Sequence, residues 1–486
     1  MTITRGLLIG GEEVSAQGGR TVDDVNPFTG GTMATVAASS PADVTNAVDE
    51  ASKAFPSWSV SAPSERRRIF LKAADLMESK AESLVSTLTS ETGGTFGWGM
   101  FNAGFAVSIL REAAAATTGP LGQVLATDTP RTLSLSLRQP SGVVAAFAPW
   151  NAPFILGIRS IAIAIAMGNT VVMKPSEQAP LSSGLLLADI FGEAGLPAGV
   201  CNVVTNAPSD AGEIAEVLIS DPRVAKVSFT GSTKIGRIIG VLAAQNLKPA
   251  VLELGGKNSL IVLDDADLDY AVSAVAFATY MNSGQICMCA DRIIVHKDVA
   301  GEFLRRLGEK ANSLTYGDPK DPHTVVGPLI SSQAAERVAT LVEEAVSSGS
   351  KLVAGGGKAQ GAVYAPTVLA GVASDQRIAT EEIFGPVCTV DVVGNEKEAI
   401  ELANSTRYGL TAGILTENIG RGFEIAKELR TGIVHVNDQS VDDEAQAPFG
   451  GVGDSGYGRF GGQAGVEAFT TTRWVTMQMG HKQFPF

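Results

Sequence analysis

The sequence predicts an α/β protein with two domains built on parallel sheets, plus a small β arm. Three observations carry this. The chain has 486 residues, enough for two or three domains. Short apolar runs alternate with helix-spaced segments over 142–256 and again over 258–437. One stretch, "TLSLSLRQP" (132–140), instead alternates apolar and polar residues, as a half-exposed antiparallel strand does.

The elements follow in order. Residues 41–56 and 62–91 have helical spacing, and Ser64 precedes a charged first turn. "GVVAAFAP" (142–149) reads as a buried strand, 153–168 as a helix and "NTVVMKP" (169–175) as a strand. A helix near 180–194 and strand "VCNVVT" (200–205) come next, then a helix near 210–219. Strand "AKVSFTG" (225–231), a helix from 232 to about 245 and strand "AVLELGG" (250–256) complete the first region. Strand–helix–strand order with apolar strands implies a parallel sheet covered on both faces. The second region has strands at 258–263, 292–296, 387–393, 411–416 and 432–437. The 132–140 strand interrupts the first domain as an arm, and "TTRWVTMQMG" near the C-terminus is its expected partner.

Composition excludes several classes. Apolar residues make up 45% and charged residues 18%, as in globular proteins and unlike disordered ones. No apolar run spans a bilayer, and Arg159 interrupts the longest, "PFILGIRSIAIAIAMG". The N-terminal stretch lacks a signal-peptide pattern, so a cytoplasmic location is expected and no membrane partner. The net charge is −14 with no basic stripe, which excludes nucleic acid as a partner. Four cysteines do not make a disulfide framework; Cys201 and Cys388 lie in apolar runs and read as core.

"NSGQICMCADR" (282–292) holds the other two cysteines. A zinc site needs about four ligands. Here Cys-x-Cys has no second pair and the four histidines are scattered, so no metal is expected. A Cys-x-Cys disulfide would close a strained ring. A nucleophile needs a base and an oxyanion donor. Glu253, before two glycines, and Asn151, in "FAPWNAPF", both follow apolar strands and are candidates. Each alone reads equally as a turn residue.

Seven motifs in order carry a family resemblance: "PWNAPF" (149–154), "VVMKPSEQAP" (171–180), "SFTGSTKIG" (228–236), "LELGGKN" (252–258), "GQICMC" (284–289), "EEIFGPV" (381–387) and "PFGGVGDSGYGR" (448–459). The chain resembles the aldehyde dehydrogenase superfamily over nearly its whole length. The spacings 287 − 253 = 34 and 174 − 151 = 23 agree with that resemblance. It implies the fold of that family. A NAD-binding domain would comprise 1–122 and 142–252, a catalytic domain 253–455, and an oligomerisation arm and tail 123–141 and 456–486.

The resemblance also implies roles. Cys287, after "GQI", is the expected nucleophile, Glu253 the base that activates water, and Asn151 the oxyanion donor. Cys289 is expected to line the pocket: in an extended segment, residues two apart point the same way. Lys174 and Glu177 are expected at the adenosine ribose, and the Glu177 carboxylate favours NAD over NADP without excluding NADP. Ser232, at a helix start between Gly231 and Gly236, is the expected pyrophosphate contact. Glu382 and Phe384 are expected at the nicotinamide ribose and ring, and Trp150 packs at the cofactor or in the core.

Three segments, "WNAPFILGIRSIA", "VNDQSVDDEAQAPFGG" and "SGYGRFGG", resemble the dehydrogenases of benzaldehyde, vanillin and salicylaldehyde. An aromatic aldehyde is therefore the expected substrate, with Arg159, Trp98, Ile286 and Met288 as candidate contacts. For Arg159 the competing reading is an internal ion pair, and for Trp98 the core. The alternatives are an aliphatic or semialdehyde dehydrogenase, a cofactor-free thiol esterase, or a non-catalytic relative. The assembly is expected to be a homodimer or homotetramer.

Overall fold

Apolar strands that end along one edge organise the molecule. The computed structural model describes residues 3–486. Its first sheet has eight strands. They run, from one edge to the other, Gly456–Tyr457, Ala250–Glu253, Val224–Thr230, Val143–Ala148, Thr170–Pro175, Cys201–Val203, Leu7–Ile9 and Glu12–Val14. The five inner strands from Ala250–Glu253 to Cys201–Val203 are parallel. The pleat of Val143–Ala148 feeds two cores. Val144, Ala146 and Ala148 face one, with helices Phe96–Ala116 and Pro153–Ala166. Val143, Ala145 and Phe147 face the other, with helices Pro41–Ser59 and Ala211–Ser220. Helix Pro153–Ala166 is buried at every residue.

The register sets the site. Lys174 lies beside Phe147, Phe147 beside Phe229, and Thr230 beside Glu253. Four parallel strands therefore finish in one row, and the loops after three of them line one crevice. Carboxyl ends of parallel strands are where such sheets bind ligands.

A second sheet has seven strands: Lys351–Ala354, Thr367–Ala370, Val387–Val393, Ala290–His296, Asn258–Val262, Thr411–Leu415 and Ile433–Val436. All neighbours are parallel except the first pair. The arm is a third sheet. Thr132–Pro140 pairs antiparallel with Thr470–Gln478 along its whole length, Ser136 opposite Trp474, and Gly122–Leu125 covers its other side. A small fourth sheet joins Ile3–Arg5, Thr32–Ala37 and Thr21–Val25.

Two local readings change. The helix expected over 62–91 is two, Pro63–Ser79 and Ala81–Thr92. Lys80 leaves the helical region between them, while Ser79 Oγ donates back to the Leu76 carbonyl at 2.9 Å, a bond that competes with helix continuation. The strand expected over 250–256 ends at Glu253, and residues 254–257 have no regular structure. Among the described residues, no helix is long and apolar enough to cross a membrane.

Candidate active site

The nucleophile segment is built on an uncommon backbone. Asn282, Ser283 and Gly284 have φ of 48°, 58° and 73°. Three successive left-handed residues are tolerable because Asn and Gly enter that region at low cost. The turn is held from several sides. Ser283 Oγ donates to Gly327 O at 2.9 Å, and Gln285 Oε1 accepts from Ile330 N at 2.8 Å. Ile286 O then accepts from Cys289 N at 2.9 Å, closing a tight turn around Cys287 and Met288. The parity expected of an extended strand therefore does not apply to Cys287 and Cys289. Cys287 is partly exposed and lines the crevice; Cys289 is buried and does not. Asn258 Nδ2 donates to both Cys287 O and Cys289 O, at 2.7 and 2.9 Å, and locks the turn to the strand after Glu253.

Asn151 and Glu253 flank the thiol. Asn151 Nδ2 donates to Gln285 O at 2.9 Å, and its backbone carbonyl accepts from Trp98 Nε1 at 3.1 Å and Asn282 Nδ2 at 2.9 Å. The amide is thus oriented, and its second N–H remains for a ligand. Glu253 is 1% exposed and its Oε1 has no hydrogen-bond partner. Burial pushes its carboxyl up to about 8, against the opposing pull of the Cys287 thiol and Arg159. Burial likewise raises the Cys287 thiol well above its ordinary value, and the facing Glu253 carboxyl raises it further. Two negative charges cannot share this space, so the pair holds at least one proton at neutral pH.

The crevice between the two sheets has a volume of about 310 Å³. Cys287, Glu253 and Asn151 line it together with Trp150, Glu382, Phe384, Gly231 and Ser232. Ser232 caps helix Thr233–Gln245 by accepting from Ile235 N, so the helix N-terminus opens into the crevice. Glu382 accepts from Gly256 N at 3.0 Å, and a side chain at Gly255 would collide with it. Phe384 has φ of +50° and meets Trp150 edge-on at 5.6 Å. A helix N-terminus, a small-residue approach and a carboxylate ready for hydroxyls fit a dinucleotide.

Lys174 and Glu177 lie outside this crevice, at the end of the same row of strands. They pair with each other at 2.5 Å, and Asn206 Nδ2 donates to Glu177 at 3.0 Å. Burial works upward on the Glu177 carboxyl, but Lys174 and Asn206 outweigh it and hold it below its ordinary value. Gly236 faces Leu254 rather than the crevice, and a side chain there would overlap Leu254. Arg337 was not legible in the sequence. It lines the crevice and donates to Ile383 O, a contact across 46 residues that no local motif announces.

With this geometry in place, the comparisons with known proteins are decisive. The model of the aldehyde dehydrogenase family matches residues 14–475. The chain belongs to the aldehyde dehydrogenase family. A vanillin dehydrogenase of Pseudomonas fluorescens is 47% identical over 479 residues, 99% of both chains. The crystal structure of a salicylaldehyde dehydrogenase from Pseudomonas putida G7, complexed with salicylaldehyde, superposes with a TM-score of 0.97 at 40% identity over 100% of both chains. PnpE in complex with nicotinamide adenine dinucleotide superposes with a TM-score of 0.95 at 37% identity, covering 99% of each chain.

On this aldehyde dehydrogenase frame the remaining candidates stand apart from the crevice. Trp98 is buried, buttresses Asn151 and stacks on Phe101 at 5.6 Å; Phe101 stacks in turn on Phe105 at 6.1 Å. Arg159 pairs with Asp443 at 2.5 Å with both side chains buried, and its guanidinium lies over the Phe449 ring at 4.4 Å. The structure thus gives Arg159 an internal ion pair. Ile286 and Met288 are buried on either side of Cys287 and do not line the crevice. Ser440 Oγ donates to Met288 O at 2.7 Å.

Proposed function

We propose that this aldehyde dehydrogenase oxidises an aromatic aldehyde to its carboxylic acid, with NAD as the hydride acceptor. The observation that carries the reading is the convergence of Cys287, Glu253 and Asn151 on one crevice bordered by Ser232, Glu382 and Phe384. The Cys287 thiol gives up its proton to solvent in the crevice, and the thiolate attacks the aldehyde carbon. The Asn151 amide and the Cys287 backbone N–H hold the resulting oxyanion; one such donor is worth about 2.7–4 kcal/mol. Bound NAD supplies the acceptor for the hydride lost from that carbon. A thioester remains on Cys287. Glu253, as a carboxylate, takes a proton from water as the water attacks the thioester; the acid leaves and the Cys287 thiolate is restored.

Residues of this chain would hold the dinucleotide at three places. Ser232 and the following helix N-terminus receive the pyrophosphate. Glu382 and Phe384 take the nicotinamide ribose and ring. Lys174 and Glu177 meet the adenosine ribose, where the carboxylate repels a 2′-phosphate and makes NADP the poorer cofactor.

The aromatic assignment draws on the vanillin and salicylaldehyde dehydrogenases among the relatives and on the stacked rings of Trp98, Phe101 and Phe105. Trp98, Ile286 and Met288, buried behind Asn151 and Cys287, would serve the substrate by holding those two groups rather than by touching its ring. Arg159, already neutralised by Asp443, would act on it through the shape of the Phe105 and Phe449 surface rather than as a free cation. A homodimer or homotetramer is part of the reading. The arm carries exposed Val124, Trp474 and Met477, and Ile235, Ile238 and Val241 form an exposed stripe on helix Thr233–Gln245. A cytoplasmic location agrees with four free cysteines.

The test is NADH formation from a panel of benzaldehyde, vanillin, salicylaldehyde, hexanal and succinic semialdehyde, with NAD and NADP separately. Aromatic substrates with NAD should give the highest kcat/KM. Preference for hexanal or the semialdehyde would replace the aromatic reading, and no NADH from any of them would remove the activity.

A further inference from the structure

A lysine and an aspartate, both sealed from solvent, sit behind the crevice and take no part in the steps above. Lys257 is 0% exposed at its side chain and Asp291 8%, and they pair at 3.1 Å. An ion pair removed from water costs both partners their hydration, and apolar residues of the same shape often serve stability as well or better. The reason for this pair is then to be sought in what it holds.

It holds the segment that carries Glu382 and Phe384. Lys257 Nζ donates to Ile378 O at 2.7 Å. Asp291 Oδ2 accepts the backbone N–H of Ile383 at 3.1 Å. The carbonyl of the same Ile383 accepts from Arg337, and Arg292, next to Asp291, donates to Ala379 O. Ile383 is therefore gripped at its amide and at its carbonyl, immediately before Phe384 and immediately after Glu382. That grip has work to do, because Phe384 has φ of +50°. A non-glycine residue in the left-handed region persists only where its surroundings over-determine it. The pair also spans the two catalytic segments. Lys257 follows the glycines after Glu253, and Asp291 lies four residues beyond Cys287.

We propose that Lys257 and Asp291 are positioning residues for the cofactor, which act through Ile383 to hold Glu382 and Phe384 at the crevice. The proposal rests on the reading of Glu382 and Phe384 as nicotinamide-side contacts. The element that acts on Ile383 is the acceptor oxygen of Asp291; the charge of Lys257 makes that oxygen tolerable in the interior.

The experiment compares two double variants of the full chain, Lys257→Met/Asp291→Asn and Lys257→Met/Asp291→Ala. Both remove the buried charges, and only the first keeps an acceptor for the Ile383 N–H. Steady-state KM for NAD, KM for the aldehyde, single-turnover NADH formation and the rate of Cys287 alkylation without cofactor are measured, with melting temperature as the check of folding. The Asn double variant should stay within about threefold of the native KM for NAD. The Ala double variant should raise that KM tenfold or more and slow hydride transfer by a similar factor. The aldehyde KM and the alkylation rate should stay near native in both. Equal KM values for NAD in the two variants would overturn the positioning role. So would parallel changes in every readout, which mark general destabilisation. Phe384→Ala is the control for the underlying reading. If it leaves the NAD KM unchanged, the cofactor assignment falls and takes the proposal with it. If it raises that KM while the two double variants agree, only the positioning role falls.

Discussion

Glu253 faces the nucleophile yet works in the second half of the chemistry. Its carboxyl stands at about 8 because it is buried, and only its carboxylate can accept a proton. As pH rises toward 8 the carboxylate fraction grows about tenfold per unit, and above 8 it levels. Where thioester hydrolysis limits turnover, kcat should follow that curve. The sign for stability is opposite. A carboxyl raised from 4.5 to about 8 favours the fold below its ordinary value and loses that contribution as pH passes through 8. Glu253→Gln should therefore leave a burst of NADH followed by a steady state at least 100-fold slower. It should also gain on the native protein, by on the order of 1 kcal/mol or more, in denaturation at pH 9 relative to pH 5. A burst lost in proportion to the steady state would place Glu253 in the first step as well. Motif spacing makes Glu253, Cys287 and Asn151 legible, since each carries its own short signature. Arg337 and Asp291 are not legible that way. Their roles exist only through Ile383, which lies 46 and 92 residues away.

At the scale of elements, strand ends and helix starts are readable and irregular turns are not. Pattern places the strands near 143–148 and 170–175 and the helix after Ser232 within a residue or two, because apolar runs and caps are local. The turn at Asn282–Gly284 has no periodic signal, and treating Cys287 to Cys289 as extended assigns both thiols to one face. The hydrogen bond from Cys289 N to Ile286 O turns the chain and separates them. This turn also abuts the cofactor-side loop. A methyl group at Gly284 would sit 2.0 Å from the carbonyl oxygen of Gly385, at a φ of +73°. Gly284→Ala should cost about 2 kcal/mol or more of stability. Turnover should fall further than the loss of folded protein explains, because Cys287 and Phe384 are pushed apart together. Native turnover in the folded variant would show that the two loops can separate without consequence.

For the whole molecule, alternation along the chain conveys two parallel sheets, but not that Gly456–Tyr457 returns to the edge of the first one beside Glu253. Such a closure joins residues some 200 apart, and a two-residue strand has no pattern to read. The arm is more visible, since Leu133, Leu135 and Leu137 alternate with polar residues in its central strand. Truncation before Trp474 should remove most of the Thr470–Gln478 ladder, including the Trp474 Nε1 to Ser134 Oγ bond of 2.8 Å. The loss bares strand Thr132–Pro140 on that side. Sedimentation should then show a smaller assembly or progressive aggregation; a native sedimentation coefficient would separate the arm from self-association.

The same ladder has a bearing on biosynthesis. Thr132 meets Gln478 across 346 residues, so strand Thr132–Pro140 emerges long before its neighbour exists. At roughly 5–20 residues per second, a nascent chain waits on the order of half a minute with that edge open. During this interval the other sheets can close, while the arm remains a sticky, β-prone stretch on an otherwise folded body. Chaperone demand and the yield of assembled protein should therefore depend on events at residues 470–478, far from anything that touches the aldehyde.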